Sequence, residues 1–254
     1  MQTNIDNVVA VILAAGMGTR MKSNKAKVLH EIIGKPMVTY VVETARKVVG
    51  NNVVLVIGNQ ADKVKKIVFE GTDVIFAIQE KQHGTGHAVL CTQLYIPEYT
   101  DQVVILCGDV PLITPYTITR LIDDHIKAMR DISILAVEVD NPKGYGRILL
   151  DENRNVTGIV EETDATEEQK AIKIVNTGTY CVKKDYLFNS LKKIKANNVQ
   201  GELYLTDIIA IGHGEGKNVG VLVSRDVKEV IGVNNCEDLK KVEMIMRKRL
   251  CKTT

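Results

Sequence analysis

The chain has 254 residues, of which 45% are hydrophobic and 25% charged, as expected for a globular protein with a sizeable core in one α/β domain or two smaller ones. A formal net charge of +2, without a basic run carrying interleaved aromatic residues, argues against a dedicated nucleic-acid surface. No apolar run approaches the roughly 18 residues of a membrane span and no signal peptide is recognisable, so we expect a cytoplasmic protein without membrane partners. The five cysteines lack C-x-x-C spacing, so we expect neither a disulfide framework nor a zinc site.

The first half of the chain predicts alternating strands and helices. Apolar runs predict buried strands over 8–13, 52–58 and 72–78, and stripes of apolar residues at helical spacing predict helices over 36–49 and 60–70. Further elements in chain order are a helix over 88–96, a strand over 101–106, a helix over 114–129 and a strand over 132–139. This alternation predicts a parallel sheet with right-handed crossovers.

After residue 140 the pattern changes to shorter elements. The sequence predicts antiparallel strands over 148–150 and 156–160, an exposed charged segment over 161–170, a strand over 172–182 interrupted at residues 176–178, helices over 184–196 and 203–211, and short strands over 219–223 and 229–232. Asn235 is a suitable N-cap for a last helix.

A glycine-containing segment, Leu13-Ala14-Ala15-Gly16-Met17-Gly18-Thr19-Arg20, follows the first predicted strand. Glycines there let a ligand's phosphates approach backbone N–H groups, and Arg20 and Lys27 add positive charge. The segment is not a dinucleotide fingerprint, because Met21 stands where a third glycine is required, and the Gly-Lys-Ser/Thr of a P-loop is absent. The alternative is an ordinary strand-to-loop turn beside an incidental arginine and a solvated lysine.

Polar residues also follow the third and fourth predicted strands. In parallel α/β sheets ligands bind outside the carboxyl ends of the strands, which places Gln79 and Asp109 at the same crevice as the glycine segment. The side-chain amide of Gln79 could recognise a base edge, and Gly84 would let a base approach the backbone, although Gly84-Thr85-Gly86 is equally well explained as a loop and N-cap. Asp109 suits a metal ion, the alternative being a turn residue before Pro111.

The strings that carry these residues resemble a known family. Leu-Ala-Ala-Gly-x-Gly-Thr-Arg-Met followed by Lys-Val-Leu resembles the signature of sugar-nucleotide pyrophosphorylases. Taken together with strings further along the chain, this signature resembles the uridylyltransferase domain of the bacterial bifunctional enzymes that make UDP-N-acetylglucosamine, a peptidoglycan precursor. The further matching strings are Gln79 with GTGHA, GDVPLI, GYGRI, GIVEETDA, VNTG, QGELYLTDIIA and GVNN. The resemblance implies an α/β, Rossmann-like nucleotidyltransferase fold, with a mixed, mainly parallel sheet flanked by helices and a smaller sugar-binding lobe. It implies one domain over 1–254, with a nucleotide-binding half at 1–140, a sugar-binding half at 141–234 and a C-terminal helix at 235–254.

The resemblance also implies roles for individual residues. Arg20 and Lys27 are the catalytic residues that hold the triphosphate, and Asp109 with Asn234 holds Mg2+. The substrate-binding residues are Leu13, Ala14, Ala15, Gly16, Gln79, Gly84 and Thr85 on the uridine side, Gly146, Glu161 and Asn176 on the sugar side, and Asn234. Spacing alone would make Asn234 a strand-end or cap residue.

The function implied is the Mg2+-assisted, in-line attack of N-acetylglucosamine 1-phosphate on the α-phosphate of UTP, giving UDP-N-acetylglucosamine and pyrophosphate. One alternative is a UDP-glucose pyrophosphorylase or a uridylyltransferase that accepts both sugars. A non-catalytic sugar-nucleotide sensor is a third reading, which predicts loss of Lys27, Asp109 or Asn234, yet all three are present.

The sequence departs from the family pattern in two places. Ala26 replaces a proline that commonly precedes the motif's lysine, which changes the backbone before Lys27 but leaves its charge. Family members continue into hexapeptide repeats that form an acetyltransferase β-helix and carry most trimer contacts. From the given sequence we expect a monomer or weak dimer without acetyltransferase activity.

Overall fold

A mixed β-sheet with helices on both faces forms the body of the protein in the computed structural model, which describes residues 5–69 and 73–251. The strands of the described residues are β1 Val8–Ala14, β2 Glu31–Ile32, β3 Lys35–Pro36, β4 Val53–Ile57, β5 Ile75–Ile78, β6 Gln102–Cys107, β7 Ile132–Glu138, β8 Arg147–Leu150, β9 Val156–Val160, β10 Ile174–Lys183 and β11 Val219–Ser224. The α-helices are α1 Met37–Val49, α2 Ala61–Phe69, α3 Thr85–Leu90, α4 Pro115–Lys127, α5 Glu167–Lys170, α6 Lys184–Leu191, α7 Asp207–Gly214 and α8 Cys236–Leu250.

The main sheet has the strand order β11-β7-β10-β6-β1-β4-β5. β6, β1, β4 and β5 are parallel neighbours, which confirms the parallel core that the first half of the sequence predicts. β10 lies antiparallel between β6 and β7, so the fifth long strand of the first half is separated from the parallel group by a strand from the second half. β8 and β9 pair antiparallel with each other, and β8 joins the sheet beside β10, as predicted for the short strands.

The two faces of the sheet bury separate hydrophobic clusters because side chains alternate along each strand. In β1, Val8, Ala10 and Ile12 pack with α1, α2 and α4, whereas Val9 and Val11 pack with α3, α6 and α7. All five residues are at most 1% exposed. The unbroken apolar run of β1 is therefore typical of a strand that is covered on both faces. The carboxyl end of β1 is the part of the strand that remains uncovered.

Capping side chains fix two of the predicted helix starts. The Thr114 hydroxyl accepts a hydrogen bond from Thr117 N at 3.2 Å, with Pro115 opening α4. Asn235 Oδ1 accepts from the backbone N–H groups of Glu237 and Asp238 at 2.8 and 2.9 Å, as predicted for α8. α8 covers a third hydrophobic cluster, to which Met21, Ile32, Met37, Leu112, Val242 and Met246 belong.

Several element boundaries differ from the prediction. The helix predicted over 88–96 begins at Thr85 and ends at Leu90, and the helix predicted over 203–211 begins only at Asp207, because the backbone of Leu203 pairs with the loop before α3. The strand predicted over 229–232 is wrong, since Val227–Val230 forms a 3-10 turn. The interruption predicted at 176–178 is a register shift between Asn176 and Thr179. Residues 70 and 72, the predicted end of one helix and start of one strand, lie outside the described residues.

No helix in the described part of the chain is both long enough and apolar enough to cross a bilayer. The five cysteines are free thiols.

Candidate active site

The glycine segment leaves β1 and turns back against the 3-10 turn Lys27–Leu29. Gly18 adopts a left-handed backbone with φ 66°, and a Cβ at Gly18 would overlap the Cβ of Lys27, so only glycine permits this approach. At Gly16, by contrast, no atom of the described residues beyond its chain neighbours lies within 4 Å of the position of a Cβ. The surface above Gly16 is therefore open to a ligand.

Four polar side chains from four separate segments meet beside this loop, and we call them the Lys27 cluster: Arg20, Lys27, Asp109 and Asn234. Lys27 Nζ donates to Asp109 Oδ2 and, at 2.9 Å, to Asn234 Oδ1. Arg20 Nη2 donates to the same Asn234 oxygen at 3.0 Å. The side chains of Lys27 and Asp109 are 14% and 23% exposed, so the ion pair is partly shielded from water yet remains accessible from one side.

The backbone brings the members of the Lys27 cluster together. Asp109 follows β6, and its carbonyl oxygen accepts a hydrogen bond from Val233 N at 2.9 Å, which places the next residue, Asn234, beside the Asp109 carboxylate. Asn234 N in turn donates to Asp238 Oδ2 at 2.9 Å. The structure thus places the two predicted metal-binding residues, 125 positions apart in sequence, at one crevice.

A pocket of about 390 Å³ opens next to the Lys27 cluster at the carboxyl ends of the parallel strands. Nine of the predicted site residues line it: Leu13, Ala14, Ala15, Gly16, Lys27, Gln79, Gly84, Thr85 and Asp109. Arg20 and Asn234 do not line the pocket; Asn234 contacts Lys27 at its edge, and Arg20 contacts Asn234. A larger cavity, about 800 Å³, lies at the opposite ends of the central strands, contains none of the predicted site residues and carries two ion pairs, Lys183 with Asp131 at 3.0 Å and Lys193 with Glu215 at 2.6 Å. We therefore place the candidate active site in the smaller pocket.

Gln79 lies on the buried floor of this pocket, 3% exposed. Its backbone N donates to Ile57 O at 2.8 Å, which continues the pairing of β5 with β4. Its side-chain Nε2 lies 3.0 Å from Gly84 O and 3.0 Å from His87 Nδ1. Sequence reasoning missed His87, although it stands within the GTGHA string.

Gly84 and Thr85 have a structural role besides lining the pocket. Gly84 has φ 103°, and a Cβ there would lie 2.6 Å from Leu203 O. Leu203 N donates to His83 O at 2.8 Å, and Leu205 N donates to the Thr85 hydroxyl at 3.0 Å. The interpretation of this segment as a loop and its interpretation as part of a binding site are therefore compatible, because the loop holds residues 203–205 beside the pocket.

The three residues predicted for the sugar side also lie together. Asn176 N donates to Gly146 O at 2.8 Å, and a Cβ at Gly146 would lie 3.2 Å from Glu161 Oε2. Burial raises the pKa of the Glu161 carboxyl, and the hydrogen bond from the Thr206 hydroxyl at 3.2 Å opposes that rise. The prediction that 161–170 is an exposed segment is wrong at Glu161, which is partly buried and whose carboxylate accepts the hydrogen bond from Thr206. Sequence reasoning also missed Thr206.

The sugar-side residues adjoin the pocket through Cys107. Cys107 lines the pocket, and its Sγ donates to Gly178 O at 3.4 Å, two residues beyond Asn176. Burial raises the pKa of the Cys107 thiol to about 12, so that the proton stays on sulfur. The predicted sugar-side residues Gly146, Glu161 and Asn176 do not line the pocket themselves but lie next to it through this contact.

The sequence profile of the nucleotidyl transferases matches residues 9–230 of this chain. The chain belongs to the nucleotidyl transferase family. Curated relatives named bifunctional protein GlmU are 44% identical over 245 residues in Syntrophotalea carbinolica and 44% over 246 residues in Caldanaerobacter subterraneus, covering 96% and 97% of this chain. The alignments take in 52% and 53% of those proteins, so the chain spans about half the length of the curated relatives it matches.

A similar fold is known from a crystal structure from Bacillus anthracis, assigned as a glucose-1-phosphate thymidylyltransferase in complex with sucrose. It superposes with a TM-score of 0.74 over 94% of this chain and 95% of that chain, at 20% identity. The likeness confirms the predicted α/β nucleotidyltransferase fold.

Nucleotidyl transferases of this kind generally use a divalent metal ion. Among the described residues no group of three or more His, Cys, Asp and Glu side chains could hold a metal. Asp109 and Asn234 present one carboxylate and one carboxamide oxygen at the edge of an open pocket. This sparse set of hard oxygens fits a cation that keeps several waters and takes its remaining ligands from substrate phosphates.

Proposed function

We propose that this nucleotidyl transferase makes UDP-N-acetylglucosamine and pyrophosphate from UTP and N-acetylglucosamine 1-phosphate. The observation that carries the proposal is the Lys27 cluster, where two cations, a carboxylate and an amide from distant segments meet at the edge of one pocket. The motif strings support uridine and the acetylated amino sugar as the particular substrates.

On the nucleotide side, uracil would lie against Gln79 and the triphosphate would cross the glycine segment. The open surface above Gly16 supports this placement, because phosphate oxygens can approach the backbone there without meeting a side chain. Arg20 and Lys27 would then bind the phosphates, with Lys27 exchanging its contact to Asp109 for contacts to phosphate oxygens.

On the sugar side, the Glu161 carboxylate and the Asn176 amide would hold the sugar's hydroxyl and acetamido groups. Gly146 supports this assignment, since its missing side chain leaves the approach to Glu161 Oε2 unobstructed. We propose residues 1–140 as the nucleotide-binding half and 141–234 as the sugar-binding half, with α8 following them.

The chemistry requires positioning and charge neutralisation more than proton transfer. A phosphate oxygen of the sugar phosphate forms a bond to the α-phosphorus of UTP while the bond from that phosphorus to the bridging oxygen breaks in line, and pyrophosphate leaves with the bonding electrons. A phosphate monoester is already anionic at neutral pH, so no general base is needed. Lys27 and Arg20 would stabilise the charge that builds on the leaving pyrophosphate.

Mg2+ is the cation that we propose at Asp109 and Asn234, where it would neutralise charge on the nucleotide phosphates. The five free cysteines support a cytoplasmic location, since thiols stay reduced there.

The test is a pyrophosphate-release assay across four nucleoside triphosphates, each paired with N-acetylglucosamine 1-phosphate, glucosamine 1-phosphate and glucose 1-phosphate. We expect the highest kcat/KM for UTP with N-acetylglucosamine 1-phosphate. A higher kcat/KM with glucose 1-phosphate would overturn the choice of sugar. Tight UDP-sugar binding without pyrophosphate release in any combination would establish a sensor instead of an enzyme.

A further inference from the structure

We propose that His87 is a positioning residue that fixes the side-chain amide of Gln79, so that Gln79 offers the nucleotide an oxygen acceptor and selects a pyrimidine base whose ring nitrogen N3 carries a hydrogen. The inference rests on the proposed function, in which Gln79 lies against the base. It assigns a role to a residue that neither lines the described pocket nor belongs to the Lys27 cluster.

The orientation of the Gln79 amide follows from its neighbours. Gly84 O can only accept a hydrogen bond, so the amide atom 3.0 Å from it must be the nitrogen, Nε2. The same Nε2 lies 3.0 Å from His87 Nδ1. An amide nitrogen carries two hydrogens, and these two neighbours take both of them. The hydrogen-bonding capacity left to Gln79 is then that of its oxygen, Oε1, which accepts.

This arrangement also fixes the tautomer of His87. Since Nε2 of Gln79 donates, His87 Nδ1 must hold a lone pair, and the ring proton of the neutral imidazole is on Nε2. Cys91 Sγ lies 3.9 Å from that ring nitrogen and can act as a weak acceptor. Protonation of Nδ1 would set two donors against each other and break the contact to Gln79.

The surroundings of His87 favour the neutral ring. Burial lowers the pKa of His87, electrostatic repulsion from the neighbouring His83 ring lowers it further, and a hydrogen bond to the Lys81 backbone opposes the shift. The His83 ring meets the His87 ring edge-on, with 5.2 Å between centroids. At neutral pH the acceptor at Nδ1 is therefore available to Gln79.

The consequence is a preference among bases. Uracil presents an N–H group between two carbonyl groups, which pairs with an acceptor, whereas cytosine presents an unprotonated ring nitrogen that an acceptor repels. Without His87, Gly84 O alone would orient the amide. Losing one neutral hydrogen bond that fixes the amide should weaken UTP binding about three- to tenfold.

The kinetic test compares three variants of the full chain. In His87→Leu the acceptor is removed, in His87→Asn the side-chain oxygen can replace Nδ1, and His83→Leu is the matched control on the neighbouring ring. At pH 8 we expect KM for UTP to rise about three- to tenfold in His87→Leu with kcat little changed, and to stay within about twofold in the other two variants. An unchanged KM in His87→Leu, or an equal rise in His87→Asn, would overturn the proposal.

A pH profile separates positioning from simple packing. In the unmodified protein KM for UTP should rise about three- to tenfold as His87 becomes protonated below pH 6.5, and His87→Asn should lack this rise. Ionisation of the substrate phosphates affects both proteins equally, so the difference between their profiles reports His87. Identical profiles would overturn the proposal even if His87→Leu fails to fold.

A spectroscopic readout needs no turnover. The ring nitrogens of 15N-histidine-labelled protein, with the His87 signals assigned by their loss in His87→Asn, should show an unprotonated Nδ1 and a protonated Nε2 at pH 8. A protonated Nδ1 would refute the positioning role. If no sugar phosphate gives pyrophosphate with UTP, the proposed function fails while this measurement still decides whether His87 holds Gln79.

Discussion

Replacing Lys27 with methionine should strengthen the binding of a divalent metal ion to the nucleotide-free protein. Lys27 Nζ donates to Asp109 Oδ2 and Asn234 Oδ1, the two oxygens that we propose as metal ligands. A metal ion that binds without nucleotide must displace this ammonium group and then remain beside its positive charge. Methionine keeps an unbranched side chain as far as the ε position and removes the charged ammonium group.

The contacts of Lys27 set the size of the effect. A hydrogen bond that involves a charged group contributes about 1.5–3 kcal/mol, and the Lys27 and Asp109 side chains are only 14% and 23% exposed, so water screens their contact incompletely. Because about 1.4 kcal/mol corresponds to a tenfold change in affinity, removing the competing ammonium should tighten metal binding about ten- to a hundredfold.

Mn2+ is a suitable probe, since it shares the oxygen ligands of Mg2+ and its free form is measured by electron paramagnetic resonance. Titrations should show the tightening in Lys27→Met and not in Lys25→Met, a control in the same loop whose ammonium pairs with Glu31 at 2.9 Å. Adding Asp109→Asn to Lys27→Met should abolish the gain. Equal or weaker Mn2+ binding in Lys27→Met would refute the idea that the lysine occupies the metal's ligands.

Four further predictions address the site and the stability of the protein. Asp109→Asn removes the charged metal ligand and should lower turnover about a hundredfold or more in the pyrophosphate assay. Asn234→Ala should lower turnover less, and added Mg2+ should partly restore it. Both variants should melt near the temperature of the unmodified protein. Gln79→Ala should weaken UTP binding by about 1–3 kcal/mol, measured by calorimetry, because buried amide contacts to the base are lost. Lys27→Ala should lower kcat and kcat/KM together while KM stays near its original value, and an unchanged kcat would reduce the residue to a surface lysine. Burial lowers the pKa of His125 to about 4 from an ordinary 6.5, so the unfolded chain takes up the proton first as pH falls. This group should therefore lower the free energy of unfolding, measured in urea, by about 2 kcal/mol at pH 5 relative to pH 7. The His125→Gln variant should lack this difference.

The parallel part of the sheet could be predicted from the sequence because local patterns encode it. Apolar runs marked β1, β4 and β6, and the intervening helices required parallel crossovers. The position of β10 between β6 and β7 was not accessible, since it depends on pairing between strands far apart in the chain, and no local pattern specifies it. The start of the helix predicted at residue 203 was wrong for the same reason, because the backbone of Leu203 is hydrogen-bonded to His83 and Gly86, which are far away in the chain.

The site shows the same division. Strand ends placed the glycine segment, Gln79 and Asp109 at one edge without further information. The place of Asn234 in the site could not be predicted from residue spacing, because it depends on the hydrogen bond from Val233 N to Asp109 O. Glu161 stands at the start of a run of charged residues that is typical of a solvated surface, and only the fold reveals that its carboxylate accepts a hydrogen bond from Thr206.

The segment from Glu202 to Thr206 gives a physical reason to regard the nucleotide and sugar sides as one site. Glu202 lines the pocket, Leu203 packs its backbone on Gly84, and the Thr206 hydroxyl donates to Glu161 Oε1. Any displacement of this segment therefore changes the pocket wall and the Glu161 carboxylate together. In-line transfer needs both substrates held within a fraction of an ångström of the reacting geometry, and a shared support of this kind couples their positions more rigidly than two independent loops could. The glycine at position 84 is thus required for the contact that unites the two sides of the crevice.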